Sequence, residues 1–325
     1  MFTTYPENYE SLYSELIYSY STTYSQDDYA EEEGDITIYI VDSTSDEIIG
    51  VKRFYSTSTA EINVAPIIRS FAYPNVVTAQ SGFVTDSNSG TVAVMLVDSS
   101  DQVTESRRFT LSRSEESEVG LLSSLPVMAR TMTLGESELL TFRVDPQLPI
   151  TVEQRQYIVE REEAVAVKSY SIEAQISGFA TFNIVAEALE EQLDVVEEQS
   201  LDSIELSIYQ SDELVEKLRY IIVDSPVDPI RLAWISSRGS IEHYTFPVVT
   251  QRSYQAGVSN TLTISSAFET YAVRRAIAEI VESPKVWIAI DTGGYLEVTV
   301  ESEAVELAAI SDIGCVELKI SYSDE

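Results

Sequence analysis

Apolar and polar positions alternate along most of the chain. From Asp35, Ile36, Ile38 and Ile40 face one way and Thr37, Tyr39 and Val41 the other; Asp42-Ser-Thr-Ser-Asp46 reverses direction and 49–55 returns. A period of two predicts a β-hairpin. The same order of strand, Val-Asp-Ser, acidic turn and strand ending in Arg-Phe recurs. Val41, Asp42, Ser43, Arg53 and Phe54 match Val97, Asp98, Ser99, Arg108 and Phe109, and 204–223 forms a third relative. A second echo links 60–69 with 180–189, each a short strand with a central Asn (Asn63, Asn183) running into an apolar turn.

The stretch that organises the second half is 231–246. Leu232 and Trp234 on one side, and Ile241, Tyr244 and Phe246 on the other, flank Ser236-Ser-Arg-Gly239, where Gly239 can take the positive φ of a short reversal. This predicts a hairpin at the centre of an all-β core. Ser266-Ala-Phe-Glu269 has the form of a capping box, and Phe268, Ala272, Ala276 and Ile280 follow at four-residue intervals, so a helix is expected over 266–283, ended by Pro284. A shorter acidic helix is expected over 188–198. Strands at 285–290, 295–300 and 315–322, with a Gly293-Gly294 turn, complete the pattern.

These elements predict a mainly β chain: a Tyr-rich N-terminal arm over 1–34, a β-sandwich-like domain over 35–149 and a second over 150–325 that carries the helix. The boundary is drawn at Asp145-Pro-Gln-Leu-Pro149, where two prolines interrupt the alternation. The arm sets Tyr5, Tyr9, Tyr13 and Tyr18 among Ser, Thr and Glu, and such amphipathic rings suit contact with another subunit.

Charge narrows the function. The 325 residues hold 54 acidic and 20 basic side chains, a formal net charge of −34, which argues against gripping a phosphate backbone. Most basic residues are Arg, suited to two parallel bonds with a carboxylate. Arg53, Arg108 and Arg231 are therefore expected, with the tyrosines, near subunit contacts. A single cysteine, Cys315, rules out a disulfide framework and reads as a small buried hydrophobe in a reducing compartment. The start of the chain reads as no signal peptide, no apolar run is long enough to span a bilayer, and no membrane partner is expected.

Candidate chemistry is sparse. His243, the sole histidine, sits among core-like aromatics with no nucleophile elbow nearby, and reads as structural. Among so many acids, pairs of carboxylates arise by coincidence and do not single out a glycoside-hydrolase site. Asp86 and Asn88 have the first ligand spacing of a calcium loop, but the closing Glu is missing and the acidic turns read as Asx reversals. No enzyme activity and no cofactor are expected.

Pro6-Glu-Asn-Tyr9, the 35–54 hairpin, Ile62-Asn-Val-Ala-Pro-Ile-Ile-Arg69, the 232–246 hairpin and Ser283-Pro-Lys-Val-Trp287 with its Gly-Gly turn resemble virion proteins of tailed phages of the crAss-like group, which infect gut Bacteroidetes. The resemblance spans much of the chain as short motifs in order. It implies a non-enzymatic, β-rich virion component assembled in the host cytoplasm: a ring beneath the portal or a related neck or tail collar. It further implies self-association into a closed ring, dodecameric if in the neck, with portal and other neck or tail proteins as partners and DNA passing without specific binding. The alternative is a tail or head fibre, an adhesin-type module recognising host surface glycan.

Overall fold

The computed structural model describes residues 1–22, 34–71, 80–84, 91–99, 105–112, 119–127, 130–159, 161–173, 178–187, 201–224, 228–255, 259–290, 294–305, 307 and 312–323. The chain is mainly β and packs into two compact units, one of 1–73 with 90–115 and one of 74–89 with 116–325. Division by packing thus differs from the expected cut near Pro149. Strands Ser137–Arg143 and Ile150–Ile158, on either side of that segment, belong to one unit. The loop between them is pinned rather than slack, because Gln210 accepts from Asp145 N at 3.0 Å and donates to Asp145 O at 2.9 Å.

In the first unit the two matching hairpins are neighbours. Gly34–Asp42 and Ile48–Thr57 join Thr91–Asp98 and Arg107–Thr110 in one four-stranded sheet, with Gly34–Asp42 antiparallel to Thr91–Asp98. A second sheet of Phe2–Thr4, Ile17–Ser21 and Thr59–Asn63 takes in the start of the chain. The expected N-terminal arm is therefore, in its described part, sheet and core. Tyr18 and Tyr20 are buried, and Tyr20 donates to the buried Asp98 at 2.7 Å. The Asn63 carboxamide accepts from Leu16 N and Ala65 N at 3.1 Å each, tying that start to the short helix Ala65–Ser70. Asp42 forms the expected Asx reversal, accepting from Thr44 N at 2.9 Å.

The second unit contains a sandwich. Arg130–Thr133, Glu213–Val223, Leu201–Gln210, Ile150–Ile158 and Ala166–Ile172 form one sheet; Gly82–Phe83, Phe179–Val185, Ser137–Arg143 and Gly120–Leu121 form the other. Leu140, Phe142, Phe182 and Ile184 from the smaller sheet meet Val152, Leu206, Ile208 and Leu218 from the larger in one dry core. Each such side chain contributes about 1.5–3 kcal/mol on burial.

The remaining sheet has seven strands, in the order Ile241–Phe246, Ile230–Ile235, Val286–Ala289, Tyr295–Val300, Glu317–Tyr322, Ser259–Ser265 and Val248–Gln255. Leu232, Trp234 and Phe246 from one half share a core with Leu262, Ile264, Leu318 and Ile320 from the other, and with Ala276, Ile277 and Ile280 of the helical segment. That segment is helix Tyr271–Ala278 continued by a tighter turn over Glu279–Glu282.

It starts later than its sequence predicts. Thr270 is the N-cap, accepting from Val273 N, whereas Glu269–Thr270 is extended and pairs with Ile313–Gly314. The Ser266 hydroxyl accepts instead from Val316 N at 2.8 Å, Glu269 accepts from Tyr244 at 2.8 Å, and Phe268 is exposed. Cys315 is exposed too, correcting its reading as a buried hydrophobe. The expected 188–198 helix lies outside the described residues.

Candidate functional site

The hairpin at 230–246 forms as expected. Strands Ile230–Ile235 and Ile241–Phe246 pair from Ile230 with Phe246 to Ile235 with Ile241, and Gly239 takes φ 87° in the reversal. Leu232, Trp234, Tyr244 and Phe246 enter the apolar core. Arg231, Glu242, His243 and Thr245 instead enter a buried polar seam with residues of 123–138.

Arg130 stands at its centre. It begins Arg130–Thr133, whose parallel register sets it against Tyr220. Its Nη1 lies 2.5 Å from Glu138 Oε1 and 4.0 Å from Glu242 Oε2. Nη2 donates to Ser123 Oγ at 2.5 Å and Leu125 O at 3.1 Å, and Nε donates to Pro126 O at 3.1 Å. Glu138 also accepts from the Tyr220 hydroxyl at 3.1 Å.

Glu242 is held from both sides. Ser124 N and Ser240 Oγ each donate to its Oε1 at 2.9 Å, and Ser123 Oγ donates to Oε2 at 3.0 Å. Arg231 extends the seam, 3.0 Å from Glu136 and 3.9 Å from Glu138, and donates to Thr245 Oγ1 at 2.9 Å and Ser137 O at 2.9 Å. Glu136 reaches it from the turn that Gly135 makes at φ 84°, where Glu136 also accepts from Thr133 N at 2.8 Å. At the other end Glu279 accepts from Ser124 Oγ at 2.7 Å and from Ser237 N and Oγ at 2.9 and 3.0 Å.

Burial dominates the electrostatics. It raises the Glu242 carboxyl above its ordinary range, against the pull of Arg130. Burial opposes the charge of Arg130 as well, but Glu138, Tyr220 and Glu242 outweigh it and hold the cation. His243 is held neutral, well below its usual value, first by burial and then by Arg231 and Arg130. Its Nε2 lies 2.9 Å from the Tyr295 hydroxyl, and its Nδ1 has no hydrogen-bond partner among the described residues. The structural histidine of the sequence is thus half satisfied.

Chemically the seam is a strut. The carboxylates of Glu136, Glu138, Glu242 and Glu279 accept from protein donors, and the three nitrogens of Arg130 are all engaged. Among the described residues no three His, Cys, Asp or Glu side chains are grouped to hold a metal ion; Asp86 and Asn88 lie outside them.

The expected contact residues divide. Tyr5, Tyr9 and Arg53 are exposed, and Tyr13 and Arg108 half-buried. Tyr5 lies under the Arg107 guanidinium at 4.4 Å and Tyr13 under Arg69 at 5.4 Å. Tyr18 is fully buried beside Phe2, and Arg231 is taken up by Glu136 and Glu138; both therefore serve the interior of their own units. Sequence reasoning missed Arg130, Glu136, Glu138 and Glu242. The available signal was charge inside apolar runs, Glu138 in Ser-Glu-Leu-Leu-Thr-Phe142 and Glu242 beside aromatic residues.

No protein-family model and no curated protein sequence matches the chain. Among solved structures, Escherichia coli alpha-2-macroglobulin activated by porcine elastase aligns with 99% of this chain and 29% of that chain at 9% identity and a TM-score of 0.20. Dpr11 IG1 bound to DIP-gamma IG+IG2 aligns with 69% of this chain and 98% of that chain at 9% identity and 0.19. A glycosyl hydrolase family 2 member from Bacteroides cellulosilyticus aligns with 70% and 30% at 10% identity and 0.17. The chain spans under a third of the length of the first of these. Likenesses at such scores carry no argument about function.

Proposed function

We propose that this chain is a structural subunit of a bacteriophage virion, one copy of a homo-oligomeric ring or collar in the portal-proximal neck or tail. It lines a channel through which duplex DNA passes. The observation that carries this reading is where the excess negative charge goes. Among the described residues the buried charges balance, Arg107, Arg130 and Arg274 against Asp98, Glu138 and Glu242, so the interior takes up none of the chain's excess negative charge. With 54 acidic against 20 basic residues, the exterior is left strongly negative.

An acidic wall repels phosphate and keeps a passing duplex from sticking, where a basic wall would trap it. The seam adds support, because its polar groups bind one another and stiffen the second unit. The resemblance of its short motifs to virion proteins of crAss-like phages supports a place in the neck or tail. Electron microscopy of the purified chain, alone and with portal protein, tests the reading. A closed ring with carboxylates on its bore is expected. Carboxylates confined to the outer surface would overturn the channel role, and a monomer or trimer that binds host glycan would point to a fibre module instead.

A further inference from the structure

The first unit covers one side of its four-stranded sheet with its own chain. Alongside Arg107–Thr110, Tyr9 N donates to Arg108 O at 2.5 Å, Thr110 N to Glu10 O at 2.9 Å and Leu12 N to Thr110 O at 2.9 Å. On the opposite side, Ile48–Thr57 pairs only with Gly34–Asp42 among the described residues. Among the described residues no strand covers that edge of the 10-residue strand, which offers backbone donors and acceptors to another strand.

Its exposed side chains are of two kinds. Ile48, Val51 and Tyr55 are 58%, 47% and 69% exposed, and Lys52 and Arg53 stand exposed between them. Several other lysines and arginines are matched to carboxylates, as in Arg107 with Glu105, Lys217 with Glu205, Lys285 with Glu297 and Lys319 with Glu301. Lys52 and Arg53 have no such partner among the described residues. Charge on an edge strand ordinarily keeps other strands away. That device works against a neighbour of the same sign, and the neighbour most abundant here, another copy of a −34 chain, has the opposite sign.

We propose that the Ile48–Thr57 edge receives a strand from a second copy of this chain in a head-to-tail contact. Lys52 and Arg53 face carboxylates of the incoming copy, and Val51 and Tyr55 are covered by it. The occupant is fixed by charge complementarity, and the asymmetry by the sequence of the edge. The midpoint of the strand falls between Lys52 and Arg53, so antiparallel pairing of the edge with itself would set cation against cation. A head-to-tail contact repeats from copy to copy and closes into a ring when its rotation permits. This inference rests on the oligomeric reading above and names its contact.

The test compares the wild-type chain with Lys52→Glu/Arg53→Glu by sedimentation and native mass spectrometry, with circular dichroism and thermal melting to confirm the fold. A control, Arg161→Glu/Lys217→Glu, changes net charge equally at exposed sites of the second unit. The edge variant should weaken association at least about tenfold, the control far less, and added salt should weaken the wild-type contact. Lys52→Gln/Arg53→Gln should fall between. Unchanged assembly of the edge variant would overturn the proposal while leaving a ring built through another surface. A two-fold dimer that the variant strengthens would overturn it likewise. A wild-type chain that stays monomeric contradicts both this contact and the oligomeric reading.

Discussion

Arg130 and Glu138 meet at 2.5 Å although their side chains are only 6% and 4% exposed. Neither is left with the other alone, since Glu138 also accepts from Tyr220 and Arg130 donates to Ser123 and to two backbone carbonyls. A buried ion pair adds little net stability over an apolar one, yet loss of one member leaves a charge stranded. Its effect is to specify that the 123–127 segment, the 137–143 strand and the 230–246 hairpin meet in one arrangement.

Arg130→Met should therefore destabilise the second unit by about 3–5 kcal/mol, because Glu138 and Glu242 lose their cation in a dry site. Adding Glu138→Leu to it should recover part of that loss. Urea unfolding of the single and double variants gives the coupling between them. Strictly additive losses would contradict the description of the pair as a lock.

Acid should loosen the fold through His243. The native form keeps its imidazole neutral, well below the usual range because of burial, Arg231 and Arg130, while the unfolded chain binds a proton near pH ~6.5. Stability from this group is thus complete above that pH and is lost as pH falls, by up to about 1.4 kcal/mol per pH unit. The raised carboxyl of Glu242 acts with the opposite sign, since the native form takes that proton first and acid favours it there. Thermal melting from pH 7 to 5.5 should show a decline that His243→Gln flattens. An equal slope in the variant would assign the effect elsewhere.

How much of this was legible in the sequence depends on range. Alternation is local, so the hairpins at 34–57, 201–223 and 230–246 could be read directly, as could the Asn63 turn into helix Ala65–Ser70. The helix start was misread because Ser266 and Glu269 have capping-box chemistry, while their partners Val316 and Tyr244 are 50 and 25 residues away. Pro149 was read as a linker because the Gln210 bonds that pin the loop are 65 residues from Asp145. The buried seam was hidden by abundance. With 54 acids, nothing local marks Glu136, Glu138 and Glu242 as the ones taken inside, and Arg231 looked as free as Arg53.

Gly314 should resist any side chain. A Cβ there would come within 2.8 Å of Arg274 Nη1 and 3.2 Å of its Cζ, so the buried Arg274 guanidinium would have to shift. Gly314→Ala should cost about 1–3 kcal/mol by overpacking. Gly82→Ala, where a Cβ meets nothing within 4 Å, serves as the near-neutral control. Equal melting temperatures for the two variants would contradict the close approach of Arg274.

The central claim, that this acidic chain is one building block of a closed assembly, is tested most directly by native mass spectrometry of the purified 325-residue chain across a concentration series. The account predicts one dominant high-mass species at an integer multiple of the 36.2 kDa subunit, with no ladder of open forms at saturation. A single 36.2 kDa species at every concentration would contradict it.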